Sequence, residues 1–152
     1  MKNYSVVVGS YGPKKVFSVT FGLLEGWGQQ GGVVHTIEEA VQAGKACIAR
    51  QATGAGQNDF ILSGVFTPGH LIYAWPGGSG DEANTVFSGE VKPLYANRGG
   101  RPITKEELVE LLNEFASEVG GTLGQKRVYV SLGDETWIIQ QDESVTPTGE
   151  TA

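Results

Sequence analysis

The chain has 152 residues, 39% of them hydrophobic, which suits one domain with a real core and no need of disulfides or metal for stability. A lone cysteine, Cys47, excludes an internal disulfide and a cysteine-based zinc cluster. Formal net charge is −6, but five acids and no lysine or arginine fall from Gly133 onward, leaving about −1 for the rest, too little positive charge for a duplex-binding face.

Tyr4 to Val8 and Val16 to Leu24 read as two strands joined by the turn-rich Ser10–Lys15. In the second, Phe17, Val19, Phe21 and Leu23 alternate with Ser18, Thr20 and Gly22, the period of a half-buried strand. Glu25 to Gly32 reads as a glycine-rich loop carrying Trp27. Thr36-Ile37-Glu38-Glu39 is a capping box, in which the threonine hydroxyl accepts from the third N–H and Glu39 reaches back to the cap. Behind it Ile37, Ala40, Val41, Gly44 and Ile48 form one apolar helix face that stops near Thr53-Gly54. Phe60 to Phe66 and Leu71 to Trp75 are predicted strands around a Thr67-Pro68-Gly69-His70 turn, and a glycine-rich loop from Pro76 to Asn84 precedes a strand from Thr85 to Val91.

A basic loop from Lys92 to Arg101 leads to a second capping box, Thr104 with Glu107. The helix that follows carries Leu108, Leu111, Leu112, Phe115 and Val119 on one face and is expected to stop at Gly120-Gly121. Arg127 to Leu132 and Thr136 to Gln140 read as a hairpin, and residues 141–152 as a flexible acidic tail. The order is that of an α+β, ferredoxin-like β-α-β-β-α-β core over residues 1–140, with two helices on one face of an antiparallel sheet and extra hairpins. The other face would meet solvent or a second subunit; Val86 and Trp137 are candidates for it, and a homodimer or higher homo-oligomer is expected.

No pattern calls for catalysis. His35 and His70 lack a helical histidine partner or a nearby carboxylate at ligand spacing, and neither heads the His-x-Thr/Ser repeat of two-histidine phosphoesterases. Cys47, inside the first helix, reads as a packing residue. There is no Gly-x-Ser-x-Gly elbow, and Trp75-Pro76-Gly77-Gly78-Ser79-Gly80 lacks the lysine of a phosphate loop. Glu38/Glu39 and Glu106/Glu107 stand in first helical turns, where they offset the positive dipole end. The sequence thus predicts no catalytic residue, metal or cofactor.

The positive signal is the basic loop. Val91 to Lys105 holds no acid but contains Lys92, Arg98, Arg101 and Lys105 with Tyr95 and Asn97 between them, and it feeds a helix N-terminus. Arginine pairs with phosphate and aromatic rings stack on bases, so Lys92, Tyr95, Asn97, Arg98 and Arg101, joined by Trp75 and Arg127, are candidate ligand-binding residues, and Trp27 is a further aromatic that could reach the same area. The competing reading is a solvated loop balancing Glu90 and Glu106.

Gly22-Leu23 with Glu25-Gly26, the cap His35-Thr36-Ile37-Glu38-Glu39, and Leu123-Gly124-Gln125-Lys126-Arg127-Val128 running on to Asp134-Glu135-Thr136 resemble pieces of phage-encoded anti-defence sponges of the anti-Thoeris type. The resemblance implies non-catalytic sequestration of a small anionic nucleotide signal, cyclic ADP-ribose-like or a cyclic oligonucleotide, with Arg127 the cation carried over. With no apolar window of about 18 residues and an N-terminus that lacks the order of a signal peptide, the simplest reading is a cytoplasmic protein (host cytoplasm if phage-encoded). Neither a nucleic-acid polymer nor a membrane is an expected partner. A protein-interaction module acting through the open sheet face, and an enzyme on the same fold, are the competing functions.

Overall fold

Two helices lie on one face of a five-stranded antiparallel sheet in a computed structural model that describes residues 2–25 and 32–142. Trp27 and the tail from residue 143 lie outside the described residues. Strand β1 (Val16–Gly22) leads to α1 (Ile37–Ala52), then β2 (Val65–Trp75) and β3 (Gly78–Glu90). After a 3₁₀ turn at Pro93–Tyr95 and a two-stranded ribbon, β4 (Asn97–Arg98) and β5 (Arg101–Pro102), come α2 (Lys105–Thr122), β6 (Arg127–Leu132) and β7 (Glu135–Gln140). Spatial order in the main sheet is β2-β3-β1-β6-β7. Without β7 this is the ferredoxin-like arrangement, and the β6–β7 hairpin widens it as expected.

Both helices start where their capping boxes say. The Thr36 and Thr104 hydroxyls accept from the Glu39 and Glu107 amides at 3.2 and 3.1 Å, and both carboxylates reach back to the cap N–H. All five residues of the predicted α2 face are buried. They meet the inward set of the sheet, Phe17, Val19, Phe21, Phe87, Val128, Val130 and Leu132. Phe115 is fully buried, its ring 4.5 Å from Phe87, 6.1 Å from Phe21 and 6.3 Å from Phe66 between centroids. In α1, Gly44 lets the helix approach this cluster; a Cβ there would stand 3.0 Å from the Phe66 ring and 3.3 Å from Phe115. Cys47 is buried beside it, and burial raises its thiol pKa.

Several local expectations are corrected. Tyr4–Val8 forms no strand: β1, the strand it was expected to join, already has β3 on one side and β6 on the other. Thr67-Pro68-Gly69-His70 is no turn, because β2 runs straight through it, paired to β3 from Val65 opposite Ser88 to Trp75 opposite Gly78. β2 is an edge strand, where a proline's missing donor is tolerated. The true turn is Pro76-Gly77, with Gly77 at φ +94°, and most of the predicted Pro76–Asn84 loop is strand β3. Helix α2 passes Gly120-Gly121; its left-handed residue is Gly124 at φ +63°. Gln125 N–H donates to the Gly120 carbonyl at 2.9 Å and Gly124 N–H to Gly121 at 3.1 Å, the paired bonds of a Schellman stop. Trp137 packs on the helix side of the sheet, its indole donating to Asn113 Oδ1 at 2.7 Å, whereas Val86 does lie on the other face.

Candidate functional site

The alternation that buries Phe17, Val19 and Phe21 sends Ser18, Thr20 and Gly22 to the sheet face away from the helices. Register then fixes their neighbours. Thr20 stands between Val86 and Tyr129, Gly22 opposite Asn84, Leu71 opposite Glu82, and Tyr73 opposite Gly80. On this face a cavity of 510 Å³ is lined by Thr20, Gly22, Leu71, Tyr73, Glu82, Gln125, Arg127 and Tyr129.

Glycine shapes its floor. A Cβ on Gly22 would run into Glu82 Oε2 and come within 2.6 Å of Gln125 Oε1, so a bare backbone lets these two polar ends converge. Gly80 leaves room for the Tyr73 ring, which a Cβ there would crowd at 3.0 Å, and Trp75 stacks at an angle on Tyr73, 6.0 Å between centroids. Burial raises the pKa of Glu82, while a hydrogen bond from the Leu24 amide works against that shift. Gln125 Nε2 donates to the Leu24 carbonyl at 2.8 Å and to Leu123 at 3.2 Å. Arg127 Nε donates to Gln140 Oε1 at 2.8 Å. The cavity therefore offers one carboxylate, one guanidinium and two phenol rings, a set able to hold a molecule with separate cationic, anionic and aromatic parts.

Of the residues predicted to bind a ligand, the structure brings Arg127 into this cavity and puts Trp75 two residues beyond Tyr73 on the same strand. Lys92, Tyr95, Asn97, Arg98 and Arg101 are elsewhere. They follow the end of β3 beside Val16, and β1 carries the sheet from there to Gly22, about 20 Å away at 3.3 Å per residue. Arg101 is engaged by Glu107 through two bonds of 3.0 and 2.7 Å, Lys92 by Glu90 at 3.2 Å, and Asn97 Nδ2 by the carbonyls of Asn58 and Leu94. Arg98 sits half-buried in β4. A recess of 860 Å³ at that end is walled mainly by Pro13, Val16, Val91, Pro93, Ile103 and Leu108, with none of the five in its lining. His35, expected to lack a carboxylate partner, lies between Glu25 and Glu39 because the chain exit from β1 folds against the start of α1.

Glu82, Tyr73, Tyr129, Thr20 and Gln125 were not singled out by sequence. A signal for Glu82 existed in the alternation Gly78, Gly80, Glu82, Asn84, which continues the outward positions of β3 but is masked by its glycines.

The fold and site together define a two-layer α+β protein with a 510 Å³ cavity on the sheet face away from its helices. No family model matches the chain, and the search of curated proteins found no match. Among solved structures the fold is similar to a phage SAM lyase (SAM, S-adenosylmethionine) in complex with S-methyl-5′-thioadenosine, with a TM-score of 0.64 and 17% identity over 90% of this chain and 97% of that one. A phage SAM lyase in its apo state gives a TM-score of 0.63 and 16% identity over 93% and 98% of the two chains. The likeness is thus to a phage protein, as the sequence resemblance implied, but to a lyase and not to a sponge. It corrects two expectations, non-catalytic capture of a cyclic nucleotide signal and absence of enzymatic function, because the matching fold is that of an enzyme whose ligand is a thioether nucleoside. Among the described residues, no helix is long and apolar enough to cross a membrane.

Proposed function

We propose that the chain is a lyase for a sulfonium nucleoside, cleaving S-adenosylmethionine to S-methyl-5′-thioadenosine in the open-face cavity. The observation that carries this reading is Glu82, a half-buried carboxylate held between aromatic and polar side chains, on a fold shared with a lyase that binds that product. The substrate brings a sulfonium, an ammonium, a carboxylate and an adenine. Glu82 attracts its cationic methionyl arm, and the Tyr73 and Tyr129 rings supply faces for the adenine or the sulfonium.

The bond that must break joins sulfur to the γ-carbon of the methionyl arm. With Glu82 occupied by the ammonium, the substrate's own carboxylate is the available nucleophile. One carboxylate oxygen bonds to the γ-carbon, the carbon–sulfur bond breaks, and its electron pair stays on sulfur. A neutral thioether and a five-membered lactone result, with no proton gained or lost. Opposite charges vanish in this step, so a site that strips water from both accelerates it. The protein's part is to fold the arm into an attacking geometry and hold it there.

The test is incubation with S-adenosylmethionine and chromatography of the products. Methylthioadenosine should appear together with a four-carbon lactone. Glu82→Gln should lower the rate about 100-fold, since truncating one side of a desolvated charge pair costs roughly 2–5 kcal/mol. Substrate recovered intact from stoichiometric folded protein would overturn the reading.

A further inference from the structure

Residues on either side of 26–31 form a closed neck between β1 and α1. Glu25 N–H donates to the Val33 carbonyl at 2.9 Å and His35 N–H to the Leu23 carbonyl at 2.7 Å, with Leu24 bridged to Val34. Leu24 is also the neck's link to the cavity: its carbonyl accepts from Gln125 Nε2 at 2.8 Å, and its amide acts on the Glu82 carboxylate, favouring the charged form. One residue on, Glu25 is gripped by His35 Nε2 at 2.7 Å, while Nδ1 of the same ring faces Glu39 Oε2 at 3.2 Å. The other oxygen of Glu39 accepts the Thr36 N–H at 2.8 Å, which ties the ring to the capped end of α1.

A neutral imidazole has one N–H and one lone pair, so it satisfies one carboxylate and repels the other. Only the imidazolium donates to both. The His35 side chain is 11% exposed, and Glu25 and Glu39 are the charged groups that act on it. Glu25 first, then Glu39, hold its pKa above the ordinary value of 6.5 against the opposing effect of burial.

We propose that His35, as an imidazolium bridging Glu25 and Glu39, is a positioning residue that fixes the Leu24–Glu25 backbone against α1 and so keeps the Leu24 amide on Glu82. The inference rests on Glu82 being the group that attracts a cationic substrate. A hydrogen bond from an amide favours the charged form of a carboxylate. Loss of the ring's proton breaks the bridge at one of the two carboxylates, unties the Leu24–Glu25 backbone from the capped end of α1, loosens that amide, and weakens the anion the substrate meets. Substrate affinity therefore declines as pH rises through the titration of His35, while the chemical step, which uses no proton, is unchanged.

Two measurements test this separately. In the first, proton–nitrogen spectra follow the Leu24 amide while the ring protons of His35 and His70 are titrated. The Leu24 amide should shift with the His35 midpoint, above 6.5, and should not do so in His35→Gln. A Leu24 amide that stays still through the His35 titration overturns the proposal whether or not the protein turns over substrate. In the second, KM and kcat for S-adenosylmethionine are measured across neutral pH in wild type and His35→Gln. Taking the ratio of the two proteins cancels the titration of the substrate's own ammonium. The KM ratio should be about tenfold on the acid side, the size expected for one charge-assisted hydrogen bond, and should fall towards one on the basic side with a kcat ratio near one. A KM ratio constant with pH overturns the proposal. Should His35→Gln fail to fold, Glu25→Ala removes the same bond from its other end and is read the same way. If no substrate is consumed at any pH, the assignment of function fails and the amide titration alone decides the role of His35.

Discussion

A single methyl group at Gly22 should switch off the cavity while leaving the fold standing. Gly22 ends β1 on the open face, in a backbone conformation that any residue adopts, so Gly22→Ala adds no left-handed strain. Its new Cβ would run into Glu82 Oε2 and lie 2.6 Å from Gln125 Oε1. Both obstacles are far ends of flexible side chains facing an open cavity, so they swing aside instead of forcing the sheet apart. The stability cost should stay within about 1 kcal/mol. The site pays more heavily, since moving a positioned group by about 1 Å can cost on the order of 100-fold in rate. The assay is release of methylthioadenosine beside a thermal melt. Gly64→Ala is the contrast: its Cβ would meet the Ser88 carbonyl, a backbone atom that cannot swing, so it should lose about 1–3 kcal/mol. Wild-type turnover in Gly22→Ala would refute the claim that Glu82 and Gln125 must converge over that glycine.

The remaining expectations concern the scaffold. Glu107 is held down to about 2 from 4.5, by Arg101 first and then by the Thr104 amide. A depressed carboxylate contributes stability that is full above 4.5 and is lost as pH falls towards 2, so in Glu107→Gln the urea midpoint should change less across that window. Equal slopes in the two proteins would count against the ion pair. Phe115→Ala empties the centre of the aromatic cluster and should cost about 3–5 kcal/mol by chemical denaturation; a loss below 1 kcal/mol would show that the cluster is not the keystone of the core.

Much of the frame is legible in one dimension because it rests on local chemistry. Thr36 with Glu39 and Thr104 with Glu107 fix two helix starts through bonds that span three residues, and the spacing of Leu108 to Val119 fixes which side of α2 is buried. Phe17, Val19 and Phe21 fix the inward face of β1 in the same way. None of that depends on what the rest of the chain does.

Tertiary structure decided the remainder. Glycine and proline between Thr67 and Asn84 carry turn chemistry, yet the pairing of β2 with β3 turned nearly all of that stretch into a long hairpin, which is what aims Tyr73 and Glu82 at one cavity. Lys92 and Arg101 lie in one short loop, but they spend their charge on Glu90 and Glu107 at the opposite end of the sheet. Arg127 stands apart from them along the chain and is the one that joins the cavity. Alternation tells which residues share a face of a strand, but register across strands tells which of them meet, and register is a property of the assembled sheet.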